Sequence, residues 1–151
     1  MALPKEKVRE LFETAMPAFF EPGEWVATAA FVIPGPSPMA IGFVGAAIQA
    51  ARGKGDLWMA VTDRRVIFVR SAFMTQKPNG FAWADARHAV QIGEVHAEER
   101  SGWNWFAYRR PDGEVLRLNF GITWDEEFTA MVEALSSPPS APELADWPHE
   151  G

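Results

Sequence analysis

Gly55-Asp56-Leu57-Trp58-Met59-Ala60-Val61-Thr62-Asp63-Arg64-Arg65-Val66-Ile67-Phe68-Val69 carries two apolar runs separated by three polar residues. Runs of five or six residues rich in Val, Ile, Phe and Trp, bounded by turn formers, read as strands, and Thr62-Asp63-Arg64 between them reads as a hairpin turn. The pattern repeats outward. Short apolar segments at 25–33, 57–61, 65–70, 81–84, 89–97, 103–109 and 114–120 give about seven antiparallel strands. Arg110-Pro111-Asp112-Gly113 supplies a second hairpin turn, since Pro presets φ and Gly accepts a positive φ.

Helices flank the strands. Val8, Leu11, Phe12, Ala15 and Met16 recur at the spacing of one helix face, Pro4 suits the first turn and Pro17 ends the element. A last helix is expected over 123–135. Thr123 and Glu126 have the spacing of a capping box, and Trp124, Phe128, Met131, Val132 and Leu135 form the apolar face. The chain therefore divides into an N-terminal helix (1–22), a strand-rich domain (23–136) with an apolar insertion at 34–56, and an acidic Pro-rich tail (137–151) whose composition reads as disordered.

Composition bounds the function classes. With 151 residues, 48% apolar and 23% charged, the chain suits one folded domain with one core. It contains no Cys, which excludes disulfides, thiolate metal sites and Cys nucleophiles and is compatible with a reducing cytoplasm. The mixed charges of residues 1–16 do not form a signal peptide, so a cytoplasmic location is expected. No charge occurs between Trp25 and Ala51, but Pro34, Pro36 and Pro38 divide that stretch into pieces too short to span a bilayer. The net charge of −6 argues against a nucleic-acid partner. Residues 25–122 nevertheless balance to +3, while 123–151 carry seven acids and no base.

The order of elements, with Thr62, Asp63 and Arg65 between two apolar strands, resembles the bacterial PH-like (pleckstrin-homology-like) domains of the YokE and GRAM-like kind. The resemblance covers roughly residues 23–135. It implies an α+β fold: a strongly bent antiparallel roll of about seven strands, closed like a β-barrel at one end by the last helix, with an added N-terminal helix. It also implies that basic residues around the first loop could meet a phosphorylated headgroup.

No catalytic constellation emerges. His88, His96 and His149 lack ligand spacing, no nucleophile-elbow or phosphate-loop pattern occurs, and Asp125, Glu126 and Glu127 suit the positive end of a helix dipole. No cofactor or metal is implied. Trp25, Trp58, Trp83, Trp103, Trp105 and Trp124 serve either as core or as a stacking platform. On strand 103–109, Trp103 and Trp105 share one face and Phe106 and Tyr108 the other, so one pair is open to exposure.

Two candidate surfaces remain. Arg52, Lys54, Arg64, Arg65 and Arg70 form a basic set that either contacts an anionic lipid headgroup or is a solvated rim. Met39, Ile41, Phe43, Val44 and Ile48, interleaved with Gly and Ala, form the apolar stretch 39–51 of the 34–56 insertion, in which a short helix is expected. It docks a protein partner or a second copy, dips into a membrane interface beside Arg52 and Lys54, or packs on its own domain. The expected function is a non-catalytic PH-like binding module making protein contacts, with peripheral lipid binding as the alternative.

Overall fold

Two apolar runs joined by a polar turn do form a hairpin: Val61 lies opposite Val66 and Leu57 opposite Arg70. The structure, a computed structural model, describes residues 5–35, 57–71, 78–98 and 103–136. In chain order these form α1 (Lys5–Ala15), β1 (Val26–Pro34), β2 (Leu57–Thr62), β3 (Arg65–Ser71), β4 (Pro78–Ala86), β5 (Gln91–Glu98), β6 (Trp103–Arg109), β7 (Val115–Gly121) and α2 (Asp125–Ser136). The α+β class and the seven antiparallel strands flanked by two helices are as the sequence implies. The expected insertion helix and the C-terminal tail lie outside the described residues.

The strands form one sheet in the order β4-β3-β2-β1-β7-β6-β5. β1 is the joint, pairing with β2 over 26–32 and with β7 at Ile33 and Pro34. Five strand spacings separate β4 from β6, which would be roughly 24 Å in a flat sheet. Yet the Tyr108 hydroxyl on β6 donates to Asp85 on β4 at 2.8 Å, and Phe68 on β3 meets Tyr108 edge-on at 5.4 Å. The sheet is therefore folded over on itself. Met59, Phe68, Phe106, Tyr108, Leu118 and Phe120 are fully buried.

One expectation is corrected. The sheet is not a closed barrel, because β4 and β5 are its edges and no ladder joins them. A 3-10 turn, Arg87–Ala89, rather than a hairpin carries the chain between them, with Val90 buried at the corner. Side chains bridge the gap instead. Asp85 accepts from Tyr108 and from Arg110 Nε (3.2 Å) and Nη2 (3.3 Å), while Arg110 lies over the Trp83 ring at 5.0 Å. Burial and then the bond to Asp85 hold the Tyr108 phenol well above its usual pKa range.

The helices close two other faces. Val8, Phe12 and Met16 are the buried residues of α1 and its 3-10 extension Met16–Phe19, and the Phe12 ring meets Trp58 of β2 at 5.0 Å. α2 packs against β1, β5 and β7, its Phe128 meeting Phe106 at 5.8 Å and Phe120 at 5.1 Å. The capping box is a second correction. A 3-10 turn, Ile122–Trp124, leads into α2, so Thr123 sits inside that turn instead of at the cap position. No helix among the described residues is long and apolar enough to cross a membrane.

Candidate functional site

The turn that identifies the β2–β3 hairpin is also its most densely bonded region. The Thr62 hydroxyl accepts the N–H groups of Arg64 (3.0 Å) and Arg65 (2.8 Å) and donates to Glu24 Oε2 at 2.6 Å. Asp63 takes the Trp25 N–H on its carboxylate and gives its own N–H to the Trp25 carbonyl. Arg65 donates to Glu24 through Nε (3.1 Å) and Nη2 (2.6 Å), and to the Phe19 carbonyl at 3.0 Å.

Glu24 is wholly covered, with 0% of its side chain exposed. Burial opposes its ionisation, but the bonds from Arg65, Thr62 and the Glu21 N–H outweigh that cost and lower its pKa from 4.5 to about 2. The bond to Glu24 in turn raises the pKa of Arg65. Thr62, Asp63 and Arg65 thus fasten the segment leading into β1 to the hairpin end.

The expected basic set divides. Arg64 is exposed and pairs with Glu21 (3.6 Å) and Asp63 (3.5 Å), and Arg65 is committed to Glu24. Arg70 sits opposite Leu57 and donates to the Phe81 carbonyl. Five residues along β3 separate Arg65 from Arg70, about 16 Å, so the fold puts them at opposite ends of the hairpin. Arg52 and Lys54 lie outside the described residues, as do Met39, Ile41, Phe43, Val44 and Ile48.

The tryptophans take different roles. Trp58 and Trp124 are core, in edge contact at 6.1 Å, whereas Trp25 is 59% exposed. On β6 Phe106 and Tyr108 face the core, leaving Trp103 and Trp105 half-buried on the other face. Trp105 stacks on His96 (4.2 Å, 12°) and carries the Arg117 guanidinium at 4.0 Å. Its ring is already engaged by these neighbours, which weakens the case for base stacking there.

The side chains that line a concavity join two tryptophans that the sequence offers as core or stacking residues, Trp58 and Trp124, to residues of α1 and β1 that it does not bring together. A cleft of about 270 Å³ lies between α1, β1 and the start of α2, with Arg9, Phe12, Glu13, Ala27, Trp58 and Trp124 among its lining residues. Among the described residues no strand pairs with the outer edge of β1 over 26–32. Residues Gly35 and Ile33 direct backbone groups toward β7 and Asn119, so by strand alternation Phe31 and Ala29 present theirs to the open edge. At one wall Glu127 accepts Lys5 Nζ at 2.8 Å and Arg9 Nη2. Beyond those two tryptophans, the local sequence feature at the cleft is the small-residue run Ala27-Thr28-Ala29-Ala30.

Among the described residues no group of three or more His, Asp or Glu side chains could hold a metal ion. What the fold and cleft define is an open, folded-over antiparallel sheet with a strand edge that is unpaired among the described residues, beside an aromatic floor. No protein-family model matches the chain, and no curated protein matches it.

Proposed function

We propose that the chain is a non-catalytic, cytoplasmic PH-like binding module that makes protein contacts, and that the cleft beside β1 receives an extended segment of its partner. The observation that carries this reading is the juxtaposition of the unpaired β1 edge with Phe12, Trp58 and Trp124. Main-chain groups of an edge strand supply affinity to any extended peptide, and an adjacent apolar floor selects alternate side chains. The polar clusters at Glu24 and Asp85 support a structural role for those residues, since their hydrogen bonds are made within the chain.

The test is selection from a displayed random-peptide library against the purified chain, repeated with Ala27→Lys. Ala27 is exposed and lines the cleft, so its replacement should leave folding intact. Enriched extended peptides that the variant no longer binds support the reading. No enrichment, or peptides indifferent to Ala27→Lys, refutes it. The lipid alternative rests on Arg52 and Lys54. Co-sedimentation with anionic vesicles that is lost in an Arg52→Ala/Lys54→Ala variant would put it in first place.

A further inference from the structure

α1 is attached to the fold differently from every strand. Phe12 meets Trp58 of β2 and the helix also runs beside β4, whereas the ring contacts linking Phe68 to Tyr108 and Phe106, Phe120 and Phe128 to one another involve no α1 side chain. Three of its residues and its 3-10 extension, Val8, Phe12 and Met16, are buried, and Glu6, Lys7, Arg9, Glu10, Glu13 and Thr14 are exposed. An 11-residue helix does not hold its shape alone in water, so α1 persists only while docked.

The charged links from α1 to the rest of the described fold converge on one residue. Glu127, with 9% of its side chain exposed, accepts from Lys5 and Arg9, themselves 24% and 52% exposed, and Lys5 also lies over the Trp124 ring at 5.3 Å. The chain after α1 is pinned separately, by Arg65 on the Phe19 carbonyl and on Glu24.

We propose that α1 is a strap that lifts locally while the sheet stays folded, with Glu127 as its clasp and the Arg65-bound Phe19 as its fixed end. Lifting withdraws Arg9, Phe12 and Glu13 from the cleft and uncovers Trp58, which is 1% exposed when α1 is docked. The inference stands whether or not the cleft binds a peptide, because it concerns only how α1 is held.

Amide hydrogen exchange of the full chain, read by mass spectrometry at low urea, tests it. Amides of α1 should exchange at least roughly tenfold faster than those of β2 and β3 and respond weakly to urea, since a local opening exposes little surface. Glu127→Gln should speed α1 exchange about tenfold further, equivalent to about 1.4 kcal/mol. Val66→Ala, which weakens the sheet core, should speed β2 and β3 but not α1, because the lifted state keeps that core. The proposal is overturned if α1 tracks β2 and β3 in urea and in Val66→Ala, or if Glu127→Gln leaves α1 unchanged.

Discussion

Glu24→Gln is the substitution whose consequence the structure fixes most closely. The carboxylate receives Arg65 Nε and Nη2, the Thr62 hydroxyl and the Glu21 N–H, at 3.1, 2.6, 2.6 and 2.9 Å, with none of its side chain exposed. Its pKa falls from 4.5 to about 2 on folding, a difference worth roughly 3 kcal/mol at about 1.4 kcal/mol per pKa unit. The sign follows from the direction. A depressed carboxylate pKa stabilises the fold fully above pH 4.5, and the contribution is lost as pH falls toward 2. Gln keeps the shape and one acceptor but turns an amide N–H toward Arg65 donors, so about 2–3 kcal/mol should be missing at pH 7.

Urea denaturation of both proteins from pH 7 to pH 2 reads this directly. The gap between them should narrow below pH 4.5 and fall under about 1 kcal/mol near pH 2, because protonated Glu24 and Gln are then nearly equivalent. Carboxylates common to both proteins cancel in the difference. A gap that stays constant with pH, or one under about 1 kcal/mol at pH 7, refutes the account of Glu24 as a charged anchor held by Thr62 and Arg65.

Tyr108 is the only tyrosine, so its phenolate absorbance is unambiguous: it should not appear in the folded protein at pH 10 to 11 and should rise only with unfolding. A raised folded pKa gives stability that is complete below pH 10 and lost at higher pH, and denaturation midpoints across that range check the sign. Phe12→Ala should cost at most about 3 kcal/mol by calorimetry or urea, below the upper end for a buried Phe, because lifting α1 caps the loss at the docking energy of one helix. Arg110→Ala should cost about 1–3 kcal/mol by uncovering Trp83 and leaving Asp85 without its charge partner, whereas Arg117→Ala, over a half-buried ring, should cost under about 1 kcal/mol; equal losses would refute the bridging role of Arg110.

The strands were legible because local apolar runs and turn residues decide them. β2, buried along its whole length, shows no alternation and was found by its apolar run and the polar turn after it. β4 extends to Pro78–Ala86, beyond the expected 81–84, since pairing with β3 recruits residues of weak strand propensity such as Pro78 and Asp85. The open edges of the sheet were not legible, because closure depends on how far each ladder turns and not on any one segment. Nor was the cleft: Arg9, Ala27 and Trp124 come from three remote elements, and no local pattern marks an unpaired strand edge. The motif Thr62, Asp63, Arg65 was visible, but its partner Glu24 lies 41 residues from Arg65 and carries no signal of its own.

Two carboxylates hold the N-terminal segment, and their surroundings give them opposite mechanical roles. Glu24 is sealed from solvent and met by a guanidinium, a hydroxyl and a backbone N–H, so breaking it strands a buried charge. Glu127 is met by two flexible cations that stay partly in water, and these can rehydrate as they leave. Motion is therefore cheaper at the clasp than at the anchor, and it pivots near Phe19. The wall of the cleft that moves is the one formed by Arg9, Phe12 and Glu13, while the β1 edge and Trp124 stay with the sheet and α2. On the proposed reading, a cleft built this way changes its depth without disturbing the strand edge that would give an extended partner its register.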